Sequence, residues 1–221
     1  SVYRFWDDLI GYFSLKKTNA SLAAENAAMR GGMKYSFREY HHGLFRINYT
    51  LYRKQYQYIS GKVVNNSITR RNNYFTLAIG GSQGVKEGMG VISGSGIAGV
   101  VKSVSGNYCS VMSLLHKNAR ISAKIKKNSY FGNLVWGGKN YRQATLLEVP
   151  KHVELNKGDT IVSSGFSTIF PEGIMVGTVE GFIKDPEDNF LIVTVNLSTD
   201  FGNFDYGYVV INLFASEQQT L

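Results

Sequence analysis

The sequence predicts a mainly β protein: two small β-barrels of about six strands each, preceded by an N-terminal coiled-coil-type α-helix. Three observations carry this. The chain of 221 residues holds 24 glycines and only 3 prolines. With its many Val, Ile, Tyr and Phe residues, that is the makeup of short strands joined by glycine turns. From Tyr58 onward, strand-like runs follow one another with no helical segment between them. The length is too great for one small barrel and suits two modest domains.

Residues 5–30 carry the one helical pattern. With Leu15, Leu22 and Met29 at d, the a positions fall on Phe5, Tyr12, Asn19 and Asn26. Asp8 spoils the first d position and Gly11 weakens the first turns, so the clean repeat covers about two heptads. Asparagine at a favours parallel, in-register dimers when it pairs across two chains. Tyr12, Leu15, Asn19, Leu22, Asn26 and Met29 are therefore the candidate self-association seam. The alternative is an amphipathic helix that packs Leu15, Leu22 and Met29 on its own domain. Gly31-Gly32 ends the helix.

Residues 33–57 crowd seven Tyr and Phe residues among Arg38, Arg46, Arg53 and Lys54. Such interleaving suits base or sugar stacking, and equally an aromatic connector packed on a barrel. His41 and His42 would point to opposite faces of a strand and have no Cys, Asp or third His near them in sequence, so no metal site is expected. The strands then read Tyr58–Val64, Tyr74–Ile79, Gly90–Ile92, Ile97–Val104, Ser110–Leu115, Ile121–Ile125, Phe131–Trp136, Thr145–Val149, Thr160–Val162, Ile174–Gly181, Leu191–Val195 and Tyr208–Leu213. The expected division is helix 1–32, connector 33–57, first barrel 58–132, second barrel 133–213 with strands free to exchange between the two, and tail 214–221.

The chain turns on Gly158–Val179, read as strand, glycine-pinned loop, strand. Gly158 supplies the positive φ of a tight turn, and Ile161-Val162 follow as a β-branched pair. Gly165 breaks the strand, Pro171 extends Phe170, and Gly173 turns the chain into Ile174, Val176 and Val179. The stretch holds Asp159 and Glu172 but no His, Cys or Lys, a composition for shape rather than bond-making. Phe166, Ile169 and Phe170 sit in the loop. They either plug a barrel end or domain junction, or those left exposed face a protein partner.

GDTIVSSGFSTIFPEGIMVGTV (158–179) closely resembles the C-terminal signature of the MreC family of bacterial cell-shape proteins. GGSQGVKEGMGVISGSGIAGVVKSVSGNYCSVMSLL (80–115), GNLVWGG (132–138), LLEVPKHVELNKGDTIVSSG (146–165) and DFGNFDYGYVVI (200–211) extend the resemblance, and SLAAENAAMR (21–30) is similar to the family's coil heptad. It covers about residues 15–30 and 58–213; residues 33–57 lie outside it. It implies two small barrels at the periplasmic face of the inner membrane, held by an N-terminal transmembrane helix that this sequence does not show. It implies a non-enzymatic scaffold of the cell-wall elongation complex that maintains rod shape. Such a protein self-associates as a homodimer or filament and binds the class B penicillin-binding transpeptidase, with MreD and RodA in the same complex. Docking would favour an open, active transpeptidase. No cofactor, metal or nucleic acid is implied.

Other readings were weighed against this one. The net charge of +8 suits a polyanion, whether nucleic acid, lipid headgroups or acidic cell-wall polymer, or simply a solvated basic face. A basic, aromatic-rich module binding nucleic acid or glycan is the alternative from another class. Cys109 reads as a small buried hydrophobe and excludes an internal disulfide. Gly80-Gly-Ser-Gln-Gly84 satisfies the nucleophile-elbow pattern, but no helix follows it. Gly94-Ser-Gly-Ile-Ala-Gly99 satisfies the dinucleotide pattern, but β-branched Val100-Val101 follow it. A paired-barrel serine protease would need Ser, His and Asp brought together. His116, His152, Asp159 and Asp200 are the available partners, and Ser163-Ser164-Gly165 lacks the preceding Gly-Asp.

Overall fold

A computed structural model describes residues 2–40, 51–184 and 189–219. In chain order it comprises α1 (Val2–Gly31), β1 (Phe37–Tyr40), β2 (Leu51–Lys54), β3 (Tyr56–Asn66), β4 (Asn72–Leu77), β5 (Gly90–Ile92), β6 (Ile97–Val104), β7 (Cys109–His116), β8 (Ile121–Ile125), β9 (Phe131–Val135), β10 (Gln143–Pro150), β11 (Thr160–Ser163), β12 (Met175–Lys184), β13 (Phe190–Leu197), β14 (Tyr206–Asn212) and α2 (Ala215–Gln219). Each of the twelve strands read from the sequence lies on one of β3–β14.

Those twelve strands close into two six-stranded barrels. The first runs β14-β3-β4-β7-β6-β5 and the second β10-β13-β12-β11-β8-β9. Within the strands, side chains alternate between the barrel interior and the outside. In β8, Ile121, Ala123 and Ile125 point inward and are buried, while Ser122 and Lys124 are half-buried on the other side. Phe75, Leu77, Val111, Leu115 and Val209 fill the first barrel; Leu134, Leu146, Ile161, Leu191 and Val193 fill the second. Closure leaves neither barrel an open edge.

The expected boundary at 132/133 is corrected, because it cuts through β9. Strands β8 and β9 belong to the second barrel: Ile125 faces Ile161 on β11, and Leu134 faces Leu146 on β10. The second barrel thus begins at Ile121. The last strand, β14, returns to the first barrel and closes it between β3 and β5. The chain crosses between barrels twice, at 117–120 and 198–205. In the second crossing, Thr199 Oγ1 donates to Ile97 O (2.9 Å) and bonds Ser93 Oγ (2.9 Å). Within the connector assigned to 33–57, β1 and β2 pair as an antiparallel ribbon with Phe37 opposite Lys54, and Tyr56 already begins β3. His41 and His42 lie outside the described residues.

Helix α1 lies on β3. Its inward face is made of small residues: Ala23 and Ala27 are buried, one turn apart. Arg30 fixes the C-terminal end. Its guanidinium lies 5.0 Å from the Tyr208 ring centroid, and Nη2 donates to Gly94 O at 2.8 Å. Gly32 N bonds Met29 O and Ser36 Oγ bonds Arg30 O, ending the helix at the expected glycines. No helix among the described residues is long and apolar enough to cross a membrane.

Candidate interaction surfaces

The signature loop, 164–173, is built from the strand ends that carry it. Gly158, Gly165 and Gly173 all have positive φ, near 90°, 83° and 89°. Ser163, the last residue of β11, closes the loop. Its Oγ donates to Pro171 O (2.6 Å) and accepts from Ile174 N (2.8 Å). Ser164 Oγ donates to Ser122 Oγ (2.7 Å) and accepts from Phe166 N (3.2 Å). Both serines are therefore spent on the loop's own shape. The two carboxylates are spent likewise: Glu172 pairs with Lys124, and Asp159 accepts from Lys127 Nζ (2.6 Å) and Asn156 N (2.7 Å).

The loop divides its three large apolar residues. Phe170 is 3% exposed and sits at the junction of the barrels. Its ring presses on the backbone of β5: a Cβ built on Gly90 would stand 2.5 Å from Phe170 Cε1 and 2.8 Å from Ile169 O. Asn212 at the end of β14 reaches the same loop, donating to Thr168 O at 3.0 Å. Ile169 is half-buried against the core. Phe170 is thus the junction plug, and it leaves the set of surface candidates because its ring is enclosed by both barrels. Phe166 is 71% exposed. It meets Phe131 edge-on, with centroids 4.9 Å apart and planes at 85°, and Phe131 is itself 55% exposed. Phe131 escaped the sequence reading. The signal was there: β9 alternates, so Phe131 shares its outward parity with Asn133 while Gly132 and Leu134 turn in.

The second surface is on α1. Leu15, Leu22 and Met29 are 63%, 50% and 56% exposed, and Asn19 and Asn26 are exposed with them. At 3.6 residues per turn this stripe lies about a quarter turn around the helix from Ala23 and Ala27. The residues α1 buries against its own barrel are Ala23 and Ala27 rather than Leu15, Leu22 and Met29, and Asn19, Leu22 and Asn26 line a shallow cleft beside them with Asp205, Tyr206 and Tyr208. Tyr12 lies in the helix, but its side chain is outside the described part.

The residues examined for catalysis are otherwise engaged. His116 is buried, its Nδ1 accepts from Asn118 N (3.0 Å), and its ring packs edge-on to Tyr74. His152 bonds Tyr130 Oη at 3.2 Å. Asp200 caps its own turn through Gly202 N (3.1 Å). Cys109 is buried, and burial, outweighing a backbone hydrogen bond with Leu77, pushes its thiol pKa up to about 11. Gly80–Gly84 forms a short 3₁₀ turn, and Gly94–Gly99 leads through the β5–β6 turn into β6. No group of three or more His, Cys, Asp or Glu able to hold a metal occurs among the described residues.

The family model for the rod shape-determining protein MreC, barrel core, matches residues 63–211. The cell shape-determining protein MreC of Listeria monocytogenes is 29% identical over 130 residues, covering 58% of this chain. The chain spans only 44% of that relative's length. The fold is similar to the major periplasmic domain of the cell shape-determining filament MreC, with TM-score 0.63, 25% identity, and 72% of this chain and 99% of that one covered. It also resembles the solved complex between a penicillin-binding protein and MreC from Helicobacter pylori, with TM-score 0.55, 18% identity, and 72% and 99% covered. With most of both barrels inside the matched span, the chain belongs to the MreC family of cell shape-determining proteins.

Proposed function

We propose that this protein is a non-enzymatic scaffold of the cell-wall elongation complex, placed at the periplasmic face of the inner membrane by an N-terminal anchor. It self-associates through Tyr12, Leu15, Asn19, Leu22, Asn26 and Met29, and it docks the class B penicillin-binding transpeptidase at Phe166 and its neighbour Phe131. MreD and RodA belong to the same complex. The observation that carries the reading is the Phe166–Phe131 pair. It is a solvent-facing aromatic patch held on a loop that Ser163, Ser164 and Phe170 make rigid. Rigid exposed aromatics suit an interface anchor, because little side-chain entropy is lost on docking. The Helicobacter pylori relative solved with a penicillin-binding protein supports the choice of partner, and the relative described as a filament supports self-association. Docking raises transpeptidase activity only if the surface binds the open enzyme better than the closed one.

Phe166→Ser tests the docking surface. It is expected to weaken co-purification of the transpeptidase by roughly tenfold or more, as an aromatic anchor of about 2 kcal/mol would. Thermal unfolding should not change. Tyr108→Ser, at another exposed aromatic, on the first barrel (50% exposed), should leave capture intact. Undiminished capture by folded Phe166→Ser would remove this surface from the interface.

A further inference from the structure

The charge of this chain is unevenly laid out. Between Tyr40 and Leu147 the sequence has fifteen Lys or Arg and a single acid, Glu87; the other fifteen of the 16 acids lie outside that span. On the second barrel two of these cations meet later acids, Lys124 pairing with Glu172 and Lys127 with Asp159, and Lys157 beyond the span pairs with Glu180. At the hinge between the barrels they do not. There the β3–β4 turn lies against the β7–β8 linker, and Lys117 N donates to Arg71 O at 3.2 Å. This brings Arg70, Arg71, Lys117 and Arg120 together on one surface. All four are exposed, and among the described residues none has a carboxylate within ion-pairing distance.

The fold does not need these charges. The turn is held by Asn73, which is fully buried. Its Nδ2 donates to Leu115 O (2.8 Å) and Arg70 O (2.6 Å), and its Oδ1 accepts from Arg70 N (2.9 Å). Arg120 Nη1 donates to the Lys117 and Ala119 carbonyls (3.1 and 2.9 Å), which aims the guanidinium while its other donors stay available. Four like charges crowded on two touching segments repel one another, and that repulsion is relieved by an oxyanion ligand. Arg120 also lines a cleft of about 190 Å³ on the second barrel, together with Ser122, Asn133 and Ser167. The cations therefore run from the β3–β4 turn to the lip of a cleft that also carries Ile121, Ile169 and Phe170.

We propose that this hinge surface binds a linear polymer bearing phosphates or carboxylates, which crosses the barrel junction from Arg70-Arg71 over Lys117 to Arg120. A flexible chain follows that path. A flat bilayer surface cannot follow it into the cleft. The far end of this path adjoins the loop that carries Phe166, because Gly165 and Ser167 line the same cleft.

The test uses fluorescence anisotropy with labelled inorganic polyphosphate and labelled polyglutamate, and co-sedimentation with phosphatidylglycerol vesicles, at about 50 and 200 mM salt. Wild-type protein should bind at least one of the polymers in a strongly salt-dependent way, and the preferred polymer tells phosphate from carboxylate. The Arg70→Ser/Arg71→Ser/Lys117→Ser variant should bind at least tenfold more weakly, with a log–log salt slope shallower by about 2, the share of its lost contacts. Lys62→Ser/Lys86→Ser/Lys102→Ser removes the same charge elsewhere on the first barrel and should stay within about twofold of wild type, since only the cluster makes contacts that release counterions. Equal losses in the two variants would overturn the site in favour of diffuse charge. Failure of both polymers to bind, or tighter binding to the vesicles than to either polymer, would also overturn it.

Discussion

Leu22→Asp is expected to turn a dimer into a monomer in sedimentation while leaving the barrels as stable as before. Leu22 lies at the middle of the α1 stripe, half exposed, with Leu15 one heptad before it and Met29 one heptad after. In a parallel dimer both copies of Leu22 leave water together. Fully burying a leucine contributes about 1.5–3 kcal/mol; each Leu22 is already half covered, so the pair contributes about that much in all and its loss weakens association by roughly one to two orders of magnitude. Two carboxylates facing each other across the seam weaken it further. The barrels are spared because α1 holds to β3 through Ala23 and Ala27, on another face. A parent protein that stays monomeric at high concentration, or a variant that stays dimeric, would refute the seam.

Phe170→Ala is expected to have the largest effect on stability. The ring is 3% exposed and fills the space that Gly90 leaves open on β5. Truncating a buried phenylalanine costs about 3–5 kcal/mol, part of it for the cavity left behind. For a chain of this size that lowers the melting temperature by roughly 6–20 °C. Gly90→Ala probes the same contact from the other side, because its methyl would collide with the Phe170 ring and the Ile169 carbonyl. An unchanged calorimetric transition in Phe170→Ala would show that the plug does not hold the barrels together.

The two neighbouring phenylalanines show where sequence legibility stops. Phe166 and Phe170 have the same side chain and sit four residues apart in one loop, yet one faces water and the other plugs a junction. Their fates are decided by Gly90, some eighty residues away, and no local pattern carries that information. Strand positions were legible because inward and outward parity repeats every two residues within a strand. Which strand closes which barrel was not, because pairings such as Leu134 with Leu146, or β14 with β3, are tertiary facts. The coil stripe was legible from its seven-residue spacing. Which face of the helix meets β3 was not legible: Ala23 and Ala27 are buried there, small residues that allow a closer approach than leucine.

If this chain acts by holding a partner in its active state, the decisive measurement is the rate at which a fluorescent penicillin acylates the transpeptidase as this protein is added. The rate should rise to a plateau with saturation, and Phe166→Ser should need far higher concentrations to reach it. A rate that stays flat while the two proteins are demonstrably bound would contradict the account.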